Sequence, residues 1–130
     1  MSQFLFEVEK SEGKLQIILR IRTVSEGNCF EPWRKKHARH KKQREAVHIA
    51  MIGQVKDIWL PCTITVSRHA PRLLDPHDNL PMSLKYIVDA IADQLVIGKK
   101  AGHADGDPRL TWKYAQEKSK EYFVKISFQF

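Results

Sequence analysis

Four aspartates stand in two short acidic stretches, Asp75 and Asp78 in the first, Asp105 and Asp107 in the second. Carboxylates from separate loops are the oxygen donors that a hard cation such as Mg²⁺ takes, and two or three suffice because the ion keeps several waters. An ion held that way polarises a phosphodiester, activates water and stabilises the leaving oxygen. The same residues also have a plainer role, since Asp is favoured in turns and at helix starts for its local hydrogen bonds. Between the stretches lie Lys85 and Asp89, four positions apart. On a helix they stand one turn from each other, either as a solvated ion pair or with the lysine offered to a phosphate. Asp89 follows Asp78 by about 16 Å of helix axis, too far to share one ion easily.

The second chemical feature is positive. Residues 34–44 read RKKHARHKKQR, with seven Lys or Arg, two His and no acid. The whole chain carries 22 Lys+Arg against 15 Asp+Glu, a net +7, which makes nucleic acid the leading partner class. Cations this dense repel one another unless phosphates neutralise them, although a solvated helix face has the same composition. Phe30 and Trp33 precede the run and either stack on a base or anchor the helix start in the core. Cys29, His37, His40 and Cys62 match no zinc-finger or ribbon spacing. No Gly-rich phosphate loop, GxSxG elbow or HExxH pair occurs, and no small-molecule cofactor is expected. Two cysteines cannot build a disulfide framework, so both are expected as buried free thiols. No apolar run is long enough for a membrane span, and the acids among the apolar residues of MSQFLFEVEK do not suit a signal peptide. A cytoplasmic location is the expectation.

These residues need a frame. A chain of 130 residues, 42% hydrophobic, has material for one core, so one domain is expected over 1–130. Residues 14–22 are rich in β-branched residues and predict a strand, with a shorter one before it joined through Ser11-Glu12-Gly13. From Pro32 to about Ile52 nothing interrupts a helix, and Ala46, Ile49, Ala50 and Gly53 recur at helical spacing on a core-facing side. Its N-terminal half is too charged to bury. Residues 58–68 alternate as a strand. Leu80, Leu84, Ile87, Val88, Ile91 and Leu95 then form one apolar stripe of a second helix, with Asp78 or Asn79 as its cap and Gly98 beyond its end. Residues 109–115 and 121–130 alternate as two strands, and the polar turn EKSKE between them suits a hairpin. The order β(β)αβαββ predicts an α+β fold, a mixed sheet with two main amphipathic helices on one face. The loops holding the four aspartates are expected to meet at one end of that sheet.

Asp78-Asn79-Leu80, then Lys85, then Asp89-Ala90-Ile91, then an acidic loop and a strand, resembles the RusA-type Holliday-junction resolvases, and more closely their phage and prophage relatives. Asn28, Trp33-Arg34 and the run ending Gln43-Arg44-Glu45 are similar to the family's Asn-containing loop and basic helix. Gly106-Asp107-Pro108-Arg109-Leu110-Thr111-Trp112 is similar to the phage subgroup. The resemblance spans roughly residues 15–128. It implies a homodimeric, Mg²⁺-dependent endonuclease that binds four-way DNA junctions and nicks two strands symmetrically, in DNA recombination and repair. It implies catalytic roles for Asp75, Asp78, Asp105 and Lys85. The metal would fall to Asp75, Asp78 and Asp105, with Asp107 or Asp89 in place of an acid that is Ala104 here. Asp75 stands three residues before Asp78, where the family has its acid two before. For DNA binding it implies Asn28, Trp33, Arg34, Lys35, Arg39, Lys42 and Arg44. The alternative is a DNA-binding protein on the same scaffold that does not cut.

Overall fold

The computed structural model describes residues 6–26, 30–100 and 103–130. Strands β1 (Phe6–Ser11) and β2 (Lys14–Leu19) pair antiparallel from Phe6↔Leu19 to Ser11↔Lys14. The turn between them needs glycine. Gly13 has φ +72°, and a Cβ there would come within 3.0 Å of the Phe130 carbonyl oxygen. Helix α1 (Trp33–Met51) starts immediately after Pro32, and all its buried residues lie in its second half: Gln43, Ala46, Val47, Ala50 and Met51. Strand β3 (Cys62–Ala70) leads to helix α2 (Asn79–Leu95), then β4 (Leu110–Lys118) and β5 (Phe123–Gln129).

The sheet order is β1-β2-β5-β3-β4. The alternating stretches near the C-terminus are both strands, but they do not form the expected hairpin. β4 pairs in parallel with β3, from Cys62↔Leu110 to Ala70↔Lys118, and β5 lies antiparallel on the other side of β3. The cause is the helix between β3 and β4. A crossover helix long enough to pack on the sheet returns the chain parallel to the strand it left. The chain then passes the end of β3, where the Ser119 N–H donates to the Ala70 carbonyl at 2.9 Å, and β5 fills the gap beside β2.

Alternate residues of the central strands point to one side. Leu15, Ile17 and Leu19 of β2, Ile64 and Val66 of β3, and Val124, Ile126 and Phe128 of β5 share one core with Val47, Ala50 and Met51 of α1 and Leu84, Ile87 and Ile91 of α2. The molecule is thus an α+β fold, a five-stranded mixed sheet with two main helices, in the expected element order. The helical stripe of α1 differs in detail. Val47 and Met51 face inward, whereas Ile49 is half-exposed and Gly53 lies beyond the helix. Cys62 is a buried free thiol, raised by burial, while Cys29 lies outside the described residues. Among the described residues, no helix is long and apolar enough to cross a membrane.

Candidate functional site

The parallel pairing of β3 and β4 decides where the acids can be. The segment leaving β3, with Asp75 and Asp78, and the segment entering β4, with Asp105 and Asp107, emerge at opposite ends of those strands. The expected meeting of the two acidic stretches at one end of the sheet does not occur. Among the described residues, no three His, Cys, Asp or Glu side chains gather where one ion could be held.

The four aspartates have different employments. Asp75 organises the turn into α2: its carboxylate accepts the Asp78 N–H at 2.9 Å, and its carbonyl accepts the Leu80 N–H at 2.8 Å. The Asp78 N–H, followed by those of His77 and Asn79, holds the Asp75 carboxyl below its ordinary range. Asp78 sits at the N-cap position of α2, yet its side chain makes no capping hydrogen bond. It is exposed. At the other end, Asp107 is 5% exposed and committed. It accepts the Arg109 N–H at 2.9 Å, Arg109 Nε at 3.0 Å and Arg109 Nη2 at 3.1 Å, with Lys99 Nζ at 3.9 Å. Arg109 is the main reason its carboxyl is depressed to about 2. Asp105 makes no side-chain hydrogen bond or ion pair among the described residues. Its backbone carbonyl accepts the Trp112 indole N–H at 2.9 Å, which fixes the short 3-10 turn Ala104–Gly106 against β4.

Asp105 acts electrostatically on α2. Burial raises the Asp89 carboxyl, and the nearby charges of Asp105 and Asp93 push the same way against Lys85. Lys85 Nζ lies 3.1 Å from Asp89 Oδ2, and this hydrogen bond is what raises the ammonium's pKa most. Across from them on β4, burial followed by the charges of Asp105 and Asp89 raises the Tyr114 phenol. Asp78, Lys85 and Asp89 fall at i, i+7 and i+11, so they line one face of α2. The result is a strip: Asp78 at the helix start, then Lys85 and Asp89, with Asp105 and Tyr114 opposite. Sequence reasoning missed Tyr114. Its signal was its place in the alternation Leu110, Trp112, Tyr114, on the side of β4 that faces α2.

Two clamps hold the segment before α2. Gln116 of β4 donates to the Leu74 carbonyl at 2.7 Å and accepts the Leu74 N–H at 2.9 Å. Arg68 of β3, 4% exposed, donates to the Thr23 hydroxyl and the Arg72 carbonyl, each at 2.8 Å, and to the Thr23 carbonyl at 3.4 Å. It therefore joins the segment leading to the basic helix with the segment leading to Asp78. Its partners are neutral oxygens, and burial lowers its pKa.

The Mg²⁺ implied by the resemblance needs several converging oxygens. Carboxylate is the right donor type, and Asp78 and Asp105 are available. Asp75 and Asp107 are already engaged in the turn and by Arg109, so the four as arranged do not fit one ion.

The basic helix divides by face. Arg34, Lys35, Lys42 and Arg44 are exposed, as are His37 and Lys41. Arg39 is not available as expected, because it points inward and is bound by two acids of the preceding segment. Its Nη2 lies 2.6 Å from Glu26 Oε1, and its Nη1 contacts Glu31 directly. His40 lies 3.0 Å from the same Glu26 oxygen and stacks on Tyr86 of α2 at 3.7 Å between centroids. Trp33 stays in solvent, and Asn28 lies outside the described residues.

One further constellation was not foreseen. Ser67 Oγ lies 3.1 Å from His69 Nε2, and His69 Nδ1 lies 3.5 Å from Glu117 Oε2, with Phe123 stacked on the imidazole. Nucleophile, base and acid are in order. However, Ser67 lies inside β3, between β5 and β4, where the ladders use the backbone N–H groups that would otherwise serve as oxyanion donors. This group is a polar network of the sheet, buried at Ser67 and His69 and open to solvent at Glu117. No family model matches the chain, and no curated protein matches it.

Proposed function

We propose that the protein is a structure-selective DNA endonuclease of the RusA type. In this reading a homodimer grips branched DNA through the outward cations of α1 and cuts a phosphodiester at the strip of Asp78, Lys85 and Asp105. One observation carries the reading. The two aspartates matched most firmly to the resolvase pattern, Asp78 and Asp105, are the two of the four whose carboxylates make no hydrogen bond or ion pair among the described residues. A helix-start aspartate that does not cap its helix is free to meet a ligand. Lys85, held protonated by Asp89, supplies positive charge to a phosphate oxygen as negative charge builds. A two-fold dimer would present one such strip to each of two symmetry-related strands of a four-way junction. The Mg²⁺ requirement enters the proposal through the resemblance alone, because the four aspartates as arranged do not fit one ion.

A second reading has its own observation. Asp107 is locked by Arg109, and no three acids converge among the described residues, which favours DNA binding without cutting. A synthetic four-way junction, incubated with and without Mg²⁺, separates the two. The expected result is Mg²⁺-dependent paired nicking by the wild type, reduced on the order of a thousandfold by Asp78→Asn and by Asp105→Asn at unchanged melting temperature. A wild type that binds but never nicks supports the second reading. Variants that nick as fast as the wild type remove the strip from the mechanism.

A further inference from the structure

We propose that Trp33 and Phe30 are the surface that selects branched over continuous duplex DNA, by stacking on bases left unpaired at the branch point. This rests on the DNA-binding reading above. Phe30 is 100% exposed and Trp33 is 71% exposed. Single exposed apolar side chains are ordinary, but here two large aromatics stand open three residues apart at one helix start. Their surroundings say what covers them. The Arg34 guanidinium lies 5.9 Å from the centre of the Trp33 ring, and the His37 ring meets Trp33 edge-on at 6.4 Å. Lys35, Lys41 and Lys42 are exposed on the same half of the helix, and its first turn holds no acid. The acids of the preceding segment, Glu26 and Glu31, are turned to Arg39, and on the helix itself Glu45 lies 3.9 Å from Lys41, which leaves Lys35 and Lys42 as the outward lysines. A partner that fits is both polyanionic and able to offer flat apolar faces. Continuous duplex offers the charge but hides its base faces within the stack. A branch, gap or end exposes them, and stacking on an aromatic side chain accepts any base.

A second tryptophan provides a control inside the molecule. Trp59 is 73% exposed, as open as Trp33, but it comes eight residues after the end of α1, a helix about 27 Å long, and lies outside the run of cations. If exposure alone attracted DNA, the two would behave alike.

The test measures affinity for a four-way junction and for a continuous duplex of equal length, without divalent metal, over a salt series, with single-stranded RNA as competitor. Trp33→Ala is expected to weaken junction binding roughly tenfold while leaving duplex affinity and both salt slopes unchanged, because no phosphate contact is lost. Trp33→Phe should recover most of the loss, and Trp59→Ala should match the wild type. The proposal is overturned if Trp33→Ala weakens both DNAs equally, if it weakens neither, or if RNA displaces the junction preferentially. A wild type that binds no DNA at any salt refutes the DNA-binding reading itself, an outcome distinct from lost selectivity in a protein that still binds duplex.

Discussion

The two helices pack on the same face of the sheet, yet they use their sequences in opposite ways. In α2 the apolar stripe and the buried face coincide, and Leu80, Leu84, Ile87, Val88 and Ile91 are all buried. In α1 the charged half also has an inward side, and it is filled by Arg39 and His40 rather than by apolar residues. Glu26, Glu31 and Tyr86 satisfy them from the preceding segment and from α2. The difference teaches that a run of like charge is not one functional unit. Helical periodicity sorts it into cations that hold the fold and cations that remain for a partner.

The sharpest break of this comparison is a deletion on the α2 stripe. Leu84 is fully buried, and Leu84→Ala should cost about 2–5 kcal/mol, read as a shift of the denaturant midpoint. A cost near zero would mean that the α2 stripe is not the core it resembles. Next is Arg39→Ala, which removes the main partner of Glu26, a side chain only 8% exposed. It should cost about 2–3 kcal/mol, below the loss for a fully buried pair because Arg39 keeps some solvent contact. It should leave the salt slope of DNA binding unchanged. Burial pushes the Glu26 carboxyl up, but the hydrogen bonds and charges of Arg39 and His40 outweigh it and hold the carboxyl below 4.5. This stabilisation is therefore full above pH 4.5 and is lost as pH falls through the lower folded value. Melting temperatures from pH 6 to pH 3 should show less of that acid-side decline in Arg39→Ala than in the wild type. The smallest effect on the fold belongs to the outward face. Lys42→Ala should leave stability within about 0.5 kcal/mol and reduce the log–log salt slope by about 0.9. An Arg39→Ala variant that flattens the slope at unchanged stability, beside a Lys42→Ala variant that unfolds early, would invert the assignment.

The same contrast shows what was legible beforehand. The α2 stripe, the β4 and β5 alternation and the turn at Gly13 all follow from neighbours a few residues apart, where period and φ preference act directly. The partners of Arg39 did not, because Glu26 lies 13 positions away and outward and inward cations look alike in a string. The hairpin expected between β4 and β5 failed for a related reason. Two alternating strands with a polar link satisfy local rules, but pairing was decided by the crossover helix on the other side of β3. The strip was half legible. The Asp78–Lys85–Asp89 face follows from helical spacing, whereas Asp107's capture by Arg109 and the approach of Tyr114 depend on how the 3-10 turn folds back.

The place of β5 in the sheet has a consequence for assembly. Synthesis delivers β1–β2 first and β3–α2–β4 next, and neither unit pairs with the other. The strand that joins them, Phe123–Gln129, is made after both and must insert between two waiting edges, with Leu19↔Val124 on one side and Arg68↔Val124 on the other. Until then β2 and β3 each expose a row of unpaired backbone groups on the ribosome, open to wrong partners. The sheet is therefore a two-part lock closed by its last key. A chain released short of residue 123 should hold its two strand pairs together only through the packing of α1 on α2 and the Arg68–Thr23 contact, and supplying Phe123–Gln129 as a separate peptide is a direct way to ask whether the halves are already formed.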